Sequence, residues 1–442
     1  MKTDLNIYPV LPLLTLPPVG GIYTDPVFGT TIKRVTDASK TIDVGAGDGR
    51  KLWAAQVEYA PITPFNIDGT KLLLEYASYF VLFSGEGEFL YNPLVDGRYE
   101  INASSEPRWS GKDPNIFYYL HGNEFKVFDV SSKTAKVARK FTEYVVENPL
   151  VSGQNGVRSM GKGDISHTGQ WITLCGRKDG SSPLEIFRYD IFNDKKGLVM
   201  SVPEAMFNLF TTPDGNVAIG WYPTGTDRFQ GIELYDGNMN FLRQLAQVSP
   251  HQCFGRDKNG DEVTIVDGGN IIGDDAVARI RLVDGSKSVV FTQNPKWIQA
   301  LHICVPRVPG WALVSCYTSN EKDYATTGLF VNEVFMISMD GKQVERLCHH
   351  HSIPFSYTHT PRATGNADLS KVVFNSCMGN TDPNYTDVFM MKVTPVGKVM
   401  QPPTGGPNTT PPTTGFDWTT KEIVVRPKAD GTADQIIRDR TK

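Results

Sequence analysis

The sequence predicts an all-β fold, a seven-bladed β-propeller with an extended N-terminal arm and a Pro/Thr-linked C-terminal tail. Three observations predict it: a degenerate repeat of about 40 to 50 residues, seven apolar runs that each follow a turn signal, and alternating runs that mostly end at Asp. The turn-then-apolar element occurs as Asp68-Gly69 before Leu72-Leu73-Leu74, Asp113-Pro114 before Ile116-Phe117, and Gly169 before Trp171-Ile172. It returns as Asp214-Gly215 before Val217-Ala218, Asn259-Gly260 before Val263-Thr264, Pro309-Gly310 before Trp311-Ala312, and Asp368-Leu369 before Val372-Val373. The alternating element recurs at Phe125–Asp129, Ile186–Asp190, Ile232–Asp236, Ile280–Asp284, Phe335–Asp340 and Val388–Lys392. Period-two alternation gives each strand two usable faces, and Asp-Gly supplies tight turns.

No such blade buries both faces alone, so the copies must stack and close into a ring. The expected organisation is an arm over residues 1–21, a propeller over 22–395, and a linker and tail over 396–442. The first copy is the weakest, so its outer strand is expected from elsewhere in the chain. The tail opens with Gln401-Pro402-Pro403-Thr404 and further Pro/Thr repeats, a linker composition. Its segment Glu422–Pro427 reads as one strand added to a sheet edge.

Composition agrees. Of 442 residues, 40% are hydrophobic and 21% charged, with 41 Gly and 29 Pro, which supports a packed core with many short turns. A net charge of −4 offers nothing to a phosphate backbone, so nucleic acid is not an expected partner. No apolar run reaches the roughly 18 residues of a membrane span. The N-terminal apolar stretch is broken by Pro9, Pro12, Pro17 and Pro18 and reads as an arm rather than a signal peptide. The compartment stays open, with extracellular and virion-associated settings both compatible. Six scattered cysteines in apolar runs read as unpaired core thiols.

In a propeller the first strands of all blades converge on a central channel. Reading the starts of those strands gives Tyr59, Arg108, Asp164, His251, His302 and Arg362, with Asn208 the offering of blade 4. Two imidazoles, two guanidiniums, a carboxylate and a phenol would form a polar, partly cationic funnel for an acidic or hydroxyl-rich glycan. His167 lies beside Asp164 and joins it and Arg362 as substrate-binding candidates. His349-His350-His351 is set aside as a loop, because consecutive strand residues alternate faces. His359, three residues before Arg362, would face the other way on a regular strand. Tyr23, Tyr76, Tyr79 and Trp221 are candidates for stacking on sugars.

The blade openings Pro250-His251-Gln252-Cys253 with Asn259-Gly260, Leu301-His302-Ile303-Cys304 with Pro309-Gly310-Trp311, and Thr360-Pro361-Arg362-Ala363 with Val372-Val373-Phe374 resemble those of the oligogalacturonate-lyase-like family of propeller polysaccharide lyases. That resemblance covers most of the propeller and neither tail. It implies β-elimination on an acidic polysaccharide, with His251 and His302 as acid/base groups, Arg108 as a carboxylate clamp and Tyr59 a further catalytic candidate. No cofactor is read from the residues themselves. A divalent metal enters only through the resemblance, on His251 and His302, and Arg362 stands where the family has a further metal-binding His. A cation there would repel the metal. The alternative reading is a non-catalytic structural or adhesion propeller, held in a surface or virion assembly by protein partners on its two arms.

Overall fold

The computed structural model describes residues 2–12, 15–77, 79–145, 156–159, 162–179, 182–202, 206–222, 227–267, 271–272, 276–293, 299–382 and 384–397, and the backbone of 421–427 and 433–439. Seven antiparallel sheets make a seven-bladed β-propeller. Blade 1 runs from its inner strand outward as Ala55–Gln56, Lys71–Tyr76, Tyr79–Ser84 and Phe89–Tyr91, and blade 2 as Arg108–Trp109, Ile116–His121, Glu124–Asp129 and Thr134–Lys140. Blade 3 is Val157–Arg158, Trp171–Gly176, Leu184–Asp190 and Lys195–Val202, and blade 4 is Met206–Thr211, Val217–Trp221, Gly231–Tyr235 and Phe241–Ala246. Blade 5 is Gln252–Arg256, Glu262–Val266, Ala276–Arg281 and Lys287–Thr292; blade 6 is Gln299–Cys304, Trp311–Thr318, Glu333–Ser338 and Val344–His349. Blade 7 has Thr364–Gly365, Lys371–Ser376 and Asp387–Lys392, then Thr31–Arg34 and Ile22–Thr24 from the start of the chain. All seven apolar runs expected from the sequence are second strands of blades.

Two compact units divide the chain: residues 1–119, 127–136 and 250–400, and residues 120–126, 137–249 and 401–442. The first holds blades 1, 5, 6 and 7, the second holds blades 3 and 4, and the line runs through blade 2.

A shared local device leads into most of the second strands. In five blades a short polar side chain turns the backbone by accepting an N–H at, or one residue before, the start of that strand. Asn66 Oδ1 takes Lys71 N–H at 2.9 Å, Ser166 Oγ takes Trp171 N–H at 3.0 Å, and Thr212 Oγ1 takes Asn216 N–H at 3.1 Å. Asp257 Oδ1 and Asn366 Oδ1 do the same for Asp261 and Lys371. In blade 6 the turn carries Gly310 at φ +82°, where a Cβ would lie 3.2 Å from the Lys258 backbone. Only Gly adopts that backbone without cost while pressed against a neighbouring blade.

The core lies between blades, and alternation along single strands produces it. In the first unit, Val372 and Phe374 pack with Leu313 and Met336 of blade 6, whereas Val373 between them packs with Leu72 and Leu74 of blade 1. Cys253, Ile265, Leu301 and Val314 fill the layer between blades 5 and 6. In the second unit Ile186, Leu209, Ile219 and Trp221 fill that between blades 3 and 4. All six cysteines are buried and none forms a disulfide.

Closure differs from the expectation. Blade 1 is complete with four strands of its own, and the strand borrowed across the chain enters blade 7. Thr31–Arg34 pairs with Asp387–Lys392 in the register Ile32↔Met391 and Arg34↔Phe389. Asp387, fully buried, accepts from Arg34 Nη2 at 2.8 Å, Thr36 Oγ1 at 2.9 Å, Ala38 N–H at 2.8 Å and the Tyr385 hydroxyl. Earlier residues lie along blade 6. Lys2 bridges Arg346, whose buried guanidinium pairs with Glu333 at 2.5 Å and donates to Asn6 O at 2.6 Å. The segment Glu422–Pro427 pairs with Ala433–Asp439 as a two-stranded hairpin. Among the described residues, no helix is long and apolar enough to cross a membrane.

Removing one partner of a buried, hydrogen-bonded ion pair strands the other charge. Asp387→Ala should therefore lower unfolding free energy by about 3–5 kcal/mol in denaturant titration. A loss under about 1 kcal/mol, the value of one ordinary hydrogen bond, would place the closure elsewhere.

Candidate functional site

Five of the seven candidates lie in the first unit, and the fold brings them into one cluster. His251 immediately precedes the inner strand of blade 5, and His302 sits within that of blade 6. Their rings stack at 4.8 Å with 26° between planes. On the far face of His302 lies Tyr317, stacked at 5.3 Å and 17°. Its place follows from register, since His302 pairs with Ser315 and Tyr317 shares that face two residues on. Tyr59, just past the inner strand of blade 1, meets His302 edge-on at 5.4 Å and His251 at 6.4 Å.

The two arginines stand behind this stack. Arg108 Nη1 donates to Glu58 Oε2 at 2.8 Å and to Pro107 O at 2.8 Å. Arg362 donates to Thr360 Oγ1 at 3.1 Å, Tyr357 O at 3.0 Å, Glu58 O at 3.2 Å and Gln56 Oε1 at 3.4 Å. All four of those acceptors are neutral, so its charge stays with the site, offset at longer range by Glu75. The Arg362 backbone is left-handed, φ +43°, a conformation that costs a non-Gly residue of the order of 1–3 kcal/mol and gathers at functional positions. Its guanidinium lies 4.2 Å from the centre of the Tyr357 ring.

The other two candidates lie in the second unit. Asp164 and His167 occupy the turn after the inner strand of blade 3, which is Val157–Arg158, so Asp164 does not open an inner strand. Asp164 Oδ1 accepts the Ile165 N–H at 2.7 Å, and His167 N–H donates to Pro213 O at 3.0 Å.

Two functional groups were missed from sequence. Asp267, one residue past the second strand of blade 5, has a carboxylate oxygen 3.9 Å from His251 Nδ1 and donates its N–H to His251 O at 2.9 Å. Tyr357, in a short 3-10 helix with Thr358 and His359, is 58% exposed. The sugar-stacking candidates Tyr76, Tyr79 and Trp221 are instead buried in the core. His349 ends the outer strand of blade 6 and His350 and His351 follow it in a loop, and all three are buried. His350 Nε2 lies 3.0 Å from Cys316 O, and its Nδ1 accepts Ser352 N–H at 2.9 Å. Burial pushes His349 down to about 4 and His350 to about 3, which keeps both neutral packing groups. His359 ends the 3-10 helix, buried, with Nδ1 3.1 Å from Ile353 O, so strand alternation does not apply to it.

The electrostatics assign proton roles. His251 Nδ1 lies 2.7 Å from the Leu301 carbonyl; a carbonyl only accepts, so Nδ1 carries the proton and the neutral ring's lone pair is on Nε2. Burial raises both Tyr59 and Tyr317, so each holds its proton at neutral pH and is no phenolate base. Burial also raises Glu58, to about 7 against the pull of Arg108, and raises Glu75. The donor set does not suit a metal. His251 commits its Nδ1 to the Leu301 carbonyl, and Arg362 adds a cation nearby that would repel a divalent ion. Among the described residues no three His, Cys, Asp or Glu are grouped to hold one.

No family model matches the chain, and no curated protein does. Solved structures do. An oligogalacturonate lyase in complex with manganese superposes with a TM-score of 0.58 at 12% identity, over 85% of this chain and 96% of that one. An oligogalacturonate lyase from Vibrio parahaemolyticus gives 0.57 at 10% identity, over 86% and 97%. At that identity the likeness is one of fold.

The Glu58 carboxyl binds its proton more tightly in the folded chain than its ordinary 4.5. Stability from this group is therefore full below about pH 4.5 and falls as pH rises toward about 7. Glu333, also raised to about 7 by burial, adds a decline in the same window. Glu58→Gln should flatten part of that decline in denaturant midpoints measured across pH. An unchanged slope would mean that Glu58 titrates normally.

Proposed function

We propose that this chain is a carbohydrate-directed propeller that cleaves acidic polysaccharide by β-elimination. One observation carries the reading: an imidazole whose lone pair is fixed at Nε2, backed by a carboxylate, stands in one cluster with a guanidinium held by neutral acceptors. In this reading the Arg362 charge favours a uronate carboxylate and stabilises the enolate-like charge that develops there. His251 Nε2 takes the proton from the carbon beside that carboxylate, and the freed pair forms the C=C bond. The bond to the neighbouring oxygen breaks with its electrons on the oxygen, which takes a proton; Tyr59 is a neutral donor in the cluster. Asp267 then stabilises the imidazolium, as carboxylates do beside catalytic histidines. Arg108, paired to Glu58, positions that carboxyl under the site, and His302 supports the His251 ring.

The likeness to lyase structures supports this reading at the level of scaffold. The adhesion or assembly role has less support, because residues 2–6 of the N-terminal arm are spent on Arg346 within the same chain.

Incubation with polyuronates should release products with the ultraviolet absorbance of an unsaturated uronate. His251→Ala should slow their release about 10²- to 10⁴-fold, the usual contribution of general base catalysis. Absence of unsaturated product from every polyuronate, or full activity in the variant, would sink the reading.

A further inference from the structure

We infer that Tyr357 is a saccharide-stacking platform selective for anionic pyranoses; this rests on the carbohydrate reading above. The ring is 58% exposed although its neighbours Tyr59, His302 and Arg362 are 6%, 1% and 4% exposed. What singles it out is position: the exposed ring borders the buried polar cluster, touching both His302 and Arg362. Its backbone is fixed: Arg362 Nη2 and Thr360 Oγ1 both donate to Tyr357 O, at 3.0 and 2.8 Å. Its ring meets His302 edge-on at 6.5 Å, so a sugar resting on it would lie within reach of the His251–His302 stack.

The Arg362 guanidinium 4.2 Å from the ring centre sets the charge preference. A cation held against an aromatic ring offsets the negative potential of its π-face. The ring therefore offers little to a cationic amino sugar, while the guanidinium, hydrogen-bonded only to neutral acceptors, attracts an anionic one. An exposed aromatic flat enough to take the C–H face of a pyranose, with a fixed cation behind it, matches a uronate. Asp267, on the His251 side, would hold the carboxylate away from the base and toward Arg362.

Calorimetric binding of a short oligogalacturonide, and of its methyl ester, to the His251→Ala chain reads this without turnover. Tyr357→Ala in that background should weaken binding of the acid about tenfold, as loss of one aromatic stack does. Tyr357→Phe, which keeps the ring, should stay within about twofold of the parent. The methyl ester should bind more weakly than the acid. Affinity unmoved by Tyr357→Ala, with unsaturated product still released by the unmodified chain, overturns the platform and leaves β-elimination standing. A Phe variant as weak as the Ala variant overturns the ring-face account, and equal affinity for acid and ester overturns the charge preference. Neither binding nor product overturns both readings. Because the position is exposed, an unchanged thermal midpoint in each variant separates lost binding from lost fold.

Discussion

The buried carboxylate of Asp387 is the joint on which the first unit depends. Its two oxygens take a guanidinium, two hydroxyls and a backbone N–H, three of these donors coming from residues 34–38 and one from Tyr385 beside it. Such a pair is worth little relative to a well-packed apolar alternative, yet breaking one half is costly. What it secures is register. The strand pairing it fixes lets Ile32 and Met391 enter the layer shared with blade 6 while Val35 and Met390 enter the layer shared with blade 1. A slip of one residue would exchange those faces.

The candidate site follows from that closure. Ala55 donates its N–H to Thr386 O, and Val57 N–H to Asn375 Oδ1, so the segment carrying Gln56, Glu58 and Tyr59 is fastened to blade 7. Blade 7 in turn holds Arg362, whose strained backbone is over-determined by four hydrogen bonds. Charged groups that would be expensive to bury singly are buried as a linked set: Arg108 on Glu58, Arg362 on the Glu58 carbonyl and Gln56, and Gln56 on Glu75 at 3.1 Å. This network holds the histidine stack from beneath while leaving His251 partly open to solvent, its side chain 31% exposed.

Much of the fold was legible because its signals are local. Seven turn-plus-apolar runs became seven second strands, since turn chemistry and period two act over a few residues. The closing strand was assigned to blade 1 because pairing between residues some 350 apart leaves no trace in either segment. His251, His302, Arg108 and Arg362 were legible as polar residues in or just before inner strands, whereas Tyr59, read as opening one, follows the inner strand of blade 1. Asp164 was placed on an inner strand because blade 3 keeps only Val157–Arg158 there, too short to show alternation. Asp267 carried no motif; its Asp after a Val-rich strand matches many turn residues in this chain. Among aromatics, sequence could not separate Tyr76, Tyr79 and Trp221, which pack inside, from Tyr357, because exposure is decided by what a neighbouring blade lays against the ring.

The cross-chain strand also fixes an order of events during synthesis. Residues 31–34 leave the ribosome early, but their hydrogen-bonding partner at 387–392 emerges some 350 residues later. Until then the early strand has an unpaired edge, and blades 1, 5 and 6 stack without a seal. Closing so long a loop is entropically slow, and a waiting strand is an invitation to pair with the same segment of another nascent chain. Production of this protein should therefore be governed by how well that one strand is shielded while the rest of the polypeptide is being made.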